Sequence, residues 1–287
     1  MKGQHVNHLL ELSLATLFIS SSGVLGKYIA MPTPVIIWWR SIIGFIVLLL
    51  LCKILKVNLK VKDKRDLKRF VLSALFLGAH WITYFYALKL SNVAIGMLSL
   101  YTFPIITSLL EPLFLRSKWD IIHFILGGMV LCGIYILSPE INLESQYFQG
   151  ILLGILSAVC YSIRILILKR DVAHYNGIML MLYQVFVLSI VLAPVLLFMD
   201  TSGISTQYPF VILLGVLTTA IGHTLFVKSL KYFSASTASI ITSVLPVYGI
   251  ILAYFFLNEI PELNTYVGGL LIVSTVVIES IRSRRMN

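Results

Sequence analysis

Residues 86–104 read YALKLSNVAIGMLSLYTFP, and residues 228–246 read KSLKYFSASTASIITSVLP. The match between these two stretches is the first evidence for the fold. A shift of 142 residues lays one on the other without a gap and places Pro104 on Pro246. The same shift also matches Leu88 with Leu230, Lys89 with Lys231, Lys27 with Lys169 and Gly127 with Gly269. Apolar segments match easily by chance, so the shared register of proline, glycine and lysine carries the argument. Self-similarity at a fixed spacing indicates that the chain contains two copies of one unit.

The composition around this pair is that of a membrane protein. The 287 residues are 59% hydrophobic and 12% charged, with a mean hydropathy of +0.95, whereas soluble domains are about half apolar and about a quarter charged. A spanning helix needs about 20 apolar residues, and lipid offers no partner to an unpaired backbone group. Apolar runs between charged or Pro, Gly and Asn breaks predict ten transmembrane helices, near residues 9–30, 34–53, 69–89, 92–113, 120–138, 149–169, 177–199, 208–229, 235–257 and 263–281.

Lysine and arginine are distributed unequally between the two sides of these helices. With the amino terminus inside, 18 of the 22 basic residues fall in inner segments, while only Lys27 and Lys89 fall in outer ones. Cytoplasmic loops carry the excess of basic residues in membrane proteins. The sequence therefore predicts a multi-pass protein of the cell (inner) membrane, with an even number of spans and both termini cytoplasmic.

Several function classes are excluded at this level. The net charge of +10 is explained by topology, so we expect no nucleic-acid partner. Cys52, Cys132 and Cys160 lie in or beside apolar runs without paired spacing, which indicates free thiols and no metal site. HExxH, GxSxG, Walker and cofactor motifs are missing from the sequence. We expect no enzyme activity and no cofactor. The expected partners are the lipid bilayer and a small-molecule solute, while the oligomeric state stays open.

The repeat divides the predicted helices into two five-helix units, residues 1–142 and 143–287. Because five is odd, the second unit enters the membrane from the opposite side, and the two units are inverted. Inverted repeats let one half rock against the other around a site at the membrane midplane, which gives alternating access. The expected fold is an all-α membrane protein with ten transmembrane helices in two inverted five-helix repeats, and its expected function is solute transport.

The two matched stretches, with Leu257-Asn258-Glu259 after the second, resemble the EamA family of the drug/metabolite transporter superfamily. The family motif has a small residue and Leu at the end of the third helix, and small polar residues at the start of the fourth. A proline follows in the middle of the fourth helix, and the motif ends with an apolar residue, then Gly or Asn, then Glu. The first copy departs from it, because Ser117 takes the position of Glu259. The resemblance implies a central cavity and the export of amino acids, metabolites or toxic compounds, and it names no single solute.

Polar and aromatic residues in the middle of the predicted helices are candidates for lining such a cavity. Arg40 is a charge within an apolar run, which is costly in lipid and usually faces the bundle interior. His80 lies among aromatic residues of the third helix. In the second copy, His223 lies one position after the residue that the 142-residue shift aligns with His80. Pro104 and Pro246 release carbonyls inside their helices. The predicted substrate-binding residues are Arg40, His80, Trp81, Tyr84, Tyr101, Pro104, His223 and Tyr248.

Other interpretations of these residues and of the function stay open. Arg40 could pair internally or extend toward the outer interface beside Trp38 and Trp39, and Arg164 is expected to extend toward the inner interface. The histidines could be satisfied by a neighbouring hydroxyl or carbonyl. No pair of buried carboxylates is present, so facilitated diffusion or weak coupling is expected. The alternative functions are a nucleotide-sugar or other solute carrier of the same fold, and a non-transporting receptor or scaffold.

Overall fold

A computed structural model describes residues 2–115, 119–137, 141–233, 238 and 241–286, and every regular element within these ranges is helical. The elements are α1 (Lys2–Tyr28), α2 (Thr33–Ile54), α3 (Lys64–Leu90), α4 (Val93–Leu100), α5 (Phe103–Leu115), α6 (Ile121–Leu137), α7 (Gln146–Asp171), α8 (Gly177–Val191), α9 (Val195–Phe198), α10 (Ile204–Leu213), the π-helix π1 (Leu214–His223), α11 (Thr224–Ser229), a 3-10 turn (Thr242–Val244), α12 (Leu245–Leu257) and α13 (Leu263–Met286).

Seven helical stretches of the described residues are long and apolar enough to cross a membrane. They are Asn7–Tyr28, Thr33–Ile54, Lys64–Leu90, Val93–Phe114, Gln146–Asp171, Gly177–Phe198 and Ile204–Ser229. Three shorter apolar helices are Ile121–Leu137, Leu245–Leu257 and Leu263–Ile278. Each of these segments overlaps one predicted span. Most of the first part of the ninth span, before residue 241, lies outside the described residues.

The fourth predicted span is broken in the middle, because α4 ends at Leu100 and α5 begins at Phe103. Pro104 is the second residue of α5, and Pro246 is the second residue of α12. A proline lacks the N–H that would bond to the carbonyl four residues earlier, and its ring displaces that carbonyl. The two prolines therefore begin new helices and end the regular hydrogen-bonding ladder before them.

The turn between α3 and α4 is held by side chains near and far in sequence. Asn92 caps α4 by accepting a hydrogen bond from the Ile95 N–H at 2.8 Å. At the end of α12, Asn258 takes the left-handed conformation with φ 55°, which asparagine adopts more readily than most residues. The chain then turns so that Glu259 accepts a hydrogen bond from the Val93 N–H at 2.8 Å. The Asn-Glu pair thus ties the end of α12 to the start of α4.

The helices pack through a few extensive contacts. The most extensive is between α3 and α7, and others join α2 to α8, α6 to α13, and α1 to both π1 and α12. Glycines allow the closest approach: a Cβ on Gly249 would lie 1.9 Å from the Met97 sulfur, and one on Gly23 would lie 2.4 Å from the Met97 methyl carbon. Both positions require glycine as long as Met97 fills the space between α1, α4 and α12.

A polar cluster fixes one end of the α3 and α7 pair. Arg69 donates to the Asp171 Oδ1 atom through Nε at 2.9 Å and through Nη2 at 2.8 Å. Asp66 accepts hydrogen bonds from Arg69 and from the Tyr175 hydroxyl. The arginine at this end of the bundle is therefore paired with carboxylates.

Two lysines bind the carbonyl ends of helices in the same way. A helix leaves its last carbonyls without an intrahelical donor, and a cation is attracted to that end. Each lysine Nζ donates to these carbonyls at distances between 2.7 and 3.3 Å. The acceptors are Leu88, Lys89 and Ser91 for Lys27, and Leu230 and Phe233 for Lys169. The lysines thus secure the ends of α3 and α11.

We expect Lys27→Met and Lys169→Met each to lower the free energy of unfolding by about 1 to 3 kcal/mol, because carbonyls lose a charged donor. Unfolding of the purified protein in mixed detergent micelles, followed by circular dichroism, measures this change. Lys53→Met is the matched control, since Lys53 is exposed at the end of α2 and should change stability by less than about 0.5 kcal/mol. Lysine variants as stable as this control would contradict the prediction.

Candidate functional site

A small cavity lies between the helices of the two halves of the chain, with a volume of about 30 Å³, room for about one water molecule. Aromatic side chains dominate its wall. The lining residues are Ile19, Ser22, His80, Trp81, Tyr84, Leu100, Tyr101, Phe103, Tyr161, His223, Phe226, Thr242 and Leu245. Five predicted site residues are among them, and these lining residues include no acidic side chain.

His80 is held in one orientation by Ser157. The Ser157 hydroxyl donates to the His80 carbonyl oxygen at 2.9 Å, and its oxygen lies 2.7 Å from the His80 Nδ1 atom. A hydroxyl has one proton to donate, so in this pair Nδ1–H donates to Ser157 and Nε2 stays an acceptor in the neutral ring. The Tyr161 ring packs against His80 with 4.5 Å between centroids. The structure thus supports the interpretation of a histidine satisfied by a neighbouring hydroxyl.

Tyr101 lies in the break between α4 and α5 and contacts the 3-10 turn that precedes α12. Its hydroxyl donates a hydrogen bond to the Thr242 carbonyl oxygen, which lies four residues before Pro246. That carbonyl also accepts from the Leu245 N–H in the 3-10 turn. Proline at 246 cannot supply the α-helical bond to this oxygen, so the tyrosine provides a second donor. The expected release of a carbonyl by Pro246 therefore occurs at the cavity wall.

Arg40 is fully buried and does not extend to the outer interface. Its Nε donates to Thr219 Oγ1 at 2.7 Å and its Nη2 donates to Thr218 Oγ1 at 3.0 Å. The guanidinium carbon lies 3.7 Å from the centroid of the Trp81 ring, a cation–π distance. Both threonines belong to π1, a rare helix type that is frequent at functional sites. Arg40 therefore stands one layer behind the cavity, with Trp81 between.

Arg164 is also fully buried, which corrects the expectation that it extends to the inner interface. Its Nε donates to Gln184 Oε1 at 2.8 Å, and its guanidinium carbon lies 5.6 Å from the Tyr161 ring centroid. The physical reason is local: Gln184 of α8 offers an amide oxygen inside the bundle. Arg164 thus stands behind Tyr161 as Arg40 stands behind Trp81.

The remaining predicted site residues lie away from the cavity. Pro104 is buried in α5 and does not line the cavity. Tyr248 does not line it either and is 39% exposed on α12. Sequence reasoning missed Tyr161, Ser157 and the threonine pair of π1. The threonine pair and the serine are polar residues within apolar runs, and this pattern is a usable but weak indication of a functional position.

Residues 9–138 and residues 148–280 each match the model of the EamA-like transporter family. The chain belongs to this family. The expected family resemblance is therefore confirmed, and the protein is a membrane transporter of the drug/metabolite type. Within the described residues, no group of three or more His, Cys, Asp or Glu side chains could hold a metal ion.

Curated relatives cover much of the chain at low identity. An uncharacterized transporter of Bacillus subtilis, YdfC, is 25% identical over 87% of this chain and 82% of its own length. The pseudopaline exporter CntI of Pseudomonas aeruginosa is 25% identical over 85% of this chain and 84% of its own. An S-adenosylmethionine uptake transporter of Rickettsia prowazekii is 30% identical over 39% of this chain and 38% of its own.

The fold also has a counterpart among solved structures. A crystal structure matches 98% of this chain and 99% of its own with a TM-score of 0.71, at 18% sequence identity. At that identity the likeness concerns the fold alone.

We expect Tyr101→Phe to lower the free energy of unfolding by about 1 kcal/mol, because the Thr242 carbonyl loses the tyrosine O–H as a donor. The measurement is detergent-based unfolding of purified protein. Tyr254→Phe is the matched control, since Tyr254 is 51% exposed on α12. If both variants unfold alike, the bond between Tyr101 and Thr242 does not stabilise the fold.

Proposed function

We propose that this EamA-family transporter exports small metabolites such as amino acids by alternating access through the central cavity. The main support for this proposal is that one cavity between the two halves of the chain is lined by His80, Trp81, Tyr84, Tyr101 and His223. Export as the direction draws on the EamA resemblance and on the pseudopaline exporter of Pseudomonas aeruginosa, a relative that matches 85% of this chain.

We also propose ten transmembrane helices in two inverted copies, residues 1–142 and 143–287. The three shorter apolar helices would complete the count beside the seven long stretches. One family model matches twice along the chain. Lys27 and Lys169 are 142 residues apart, and so are their acceptors Leu88 and Leu230. Equal contacts at an equal spacing support two copies of one unit.

The helix contacts support the same arrangement. In the proposed numbering of spans, the first span packs on the eighth and ninth through α1, π1 and α12, and the sixth packs on the third and fourth through α7, α3 and α5. The second packs on the seventh, and the fifth on the tenth. Exchanging the two copies reproduces this pattern, as a two-fold relation between them requires. Such a relation is the basis of alternating access in transporters with inverted repeats.

One observation favours a second candidate, a nucleotide-sugar or other anionic-solute carrier of the same fold. Such cargo calls for more positive charge at the site than Arg40 alone. Arg164 supplies a second buried guanidinium beside the cavity wall.

Counterflow in proteoliposomes tests the main proposal. Vesicles containing the purified protein and loaded with an unlabelled amino acid should accumulate its labelled form, with saturable kinetics, for at least one of the twenty common amino acids. Absence of saturable exchange for all of them would remove the amino-acid version of the proposal.

Cavity filling supplies the matched control for this assay. Ser22→Phe should abolish exchange, because the cavity of about 30 Å³ has no room for an added ring in the path of a solute. Ser13→Phe, on an exposed face of the same helix, should leave it intact. Exchange by Ser22→Phe at the wild-type rate would place the solute path elsewhere.

Cysteine labelling tests topology and inversion. In a variant lacking the native cysteines, Glu144→Cys and Glu262→Cys should react with a membrane-impermeant maleimide on intact cells, because both positions are exposed and lie in proposed outer segments. Asn58→Cys, exposed in the proposed inner loop, should react only after permeabilisation. Labelling of Asn58→Cys on intact cells, or protection of Glu144→Cys, would contradict the arrangement with five spans per copy.

A further inference from the structure

Two arginines beside the cavity carry charge that no carboxylate balances within the described residues. Arg40 and Arg164 are both fully buried, and all their hydrogen-bond partners are neutral. These are Thr218 and Thr219 for Arg40, and Gln184, Met181 and the Tyr161 hydroxyl for Arg164. Arginines near the ends of the bundle differ, because Arg69 pairs with Asp171 and Arg282 pairs with Asp120. Of these four arginines, the two in the middle of the bundle have no carboxylate partner within the described residues.

Each of these two guanidinium groups also has an unused donor. The Nη1 atoms of Arg40 and Arg164 are buried and have no hydrogen-bond partner among the described residues. A buried charge without full hydrogen bonding is costly, and ionisable residues inside a membrane protein commonly mark the path of a solute or ion. The two free N–H groups are therefore suited to an anionic acceptor.

The position of the two arginines explains how a solute would reach them. Arg40 lies 3.7 Å behind the centre of the Trp81 ring and Arg164 lies 5.6 Å from the centre of the Tyr161 ring. Both rings line the cavity. Its volume of about 30 Å³ holds about one water molecule, so entry of an amino acid requires the wall to move. Displacement of these rings uncovers the guanidinium groups.

The cavity wall offers different partners to the carboxylate and to the ammonium group of an amino acid. Its described lining contains two histidines, tyrosines, a serine and a threonine, and no acidic side chain. An ammonium group would meet neutral acceptors there, with two arginine charges behind the wall. A carboxylate would meet guanidinium donors, which bind carboxylates with strong, charge-assisted hydrogen bonds.

We propose that the solute is recognised through a carboxylate bound by the free Nη1 groups of Arg40 and Arg164, and that its ammonium group is dispensable. This deepens the proposed function and rests on it. Arg40 and Arg164 become the residues that determine specificity, and Trp81 and Tyr161 are the rings that a solute displaces to reach them.

Matched analogues test the proposal on the wild-type protein. Thermal unfolding in detergent is measured with two sets of three compounds, each consisting of an amino acid, the acid without its ammonium group, and the amide without its carboxylate. The first set is phenylalanine, 3-phenylpropionate and phenylalaninamide, and the second is leucine, 4-methylpentanoate and leucinamide. In at least one set, the amino acid and its des-amino acid should both stabilise the protein, and the amide should bind about tenfold or more weakly. Equal stabilisation by acid and amide, or stabilisation by neither acid nor amino acid in both sets, would overturn the proposal.

Arginine variants separate recognition from a structural role. Arg40→Gln and Arg164→Gln should each weaken binding of the acid about tenfold or more and reduce its preference over the amide, while the unliganded unfolding temperature stays near that of wild type. Arg170→Gln is the control, since Arg170 is exposed on the same helix as Arg164. A structural role alone would lower stability and leave the acid-to-amide preference unchanged. If a Gln variant fails to fold, Arg40→Lys or Arg164→Lys replaces it, because lysine keeps the charge and loses the planar fork.

The two proposals fail in different ways. Exchange in proteoliposomes with no preference for acid over amide would overturn carboxylate recognition and leave transport standing. Carboxylate binding in detergent without exchange of any amino acid would remove the amino-acid version of the transport proposal and leave carboxylate recognition standing.

Discussion

In a lipid bilayer an unpaired backbone group finds no water, and the fold depends on meeting this constraint wherever a helix breaks or ends. The chain does so with side chains that reach across the bundle. Tyr101 binds the Thr242 carbonyl, Lys27 and Lys169 bind the carbonyl ends of α3 and α11, and Glu259 binds the free N–H at the start of α4. These contacts make irregular backbone tolerable inside the bundle. The cavity wall consists in part of that irregular backbone, so its shape depends on them.

A second physical feature is the separation of paired from unpaired charge. Near the ends of the bundle, Arg69 and Arg282 bind carboxylates, and such pairs fix one helix against another. Around the cavity, Arg40 and Arg164 bind only neutral partners among the described residues. An interior of low dielectric strengthens the field of such charges relative to water. The middle of the bundle is therefore electropositive without any acidic residue on the described wall, which favours anions over cations.

The sequence predicted the helical membrane fold and the family well, because apolar run length, charge asymmetry and the 142-residue register are properties of the chain itself. It also placed His80, Trp81, Tyr84, Tyr101 and His223, which line the cavity. It could not place Arg164, because a basic residue in the inner half of a span can snorkel or turn inward, and the choice depends on Gln184 from another helix. Nor does a periodic apolar pattern distinguish a π-helix from an α-helix, so the sequence could not predict π1 or the contact of its two threonines with Arg40.

The π-helix is one place where the two proposed copies differ. Residues 72–81 of the first copy belong to the regular helix α3, whereas their counterparts 214–223 form π1. The one-residue offset between His80 and His223 falls in this segment, and Thr218 and Thr219 of π1 both accept from Arg40. In a transporter of two identical inverted copies, the inward-open and outward-open forms would have equal energy, since exchanging the copies interconverts them. A π-helix in one copy alone removes that equality. The difference between the copies can therefore set which side of the membrane the unloaded site faces, without changing the helix arrangement that the two proposed copies share.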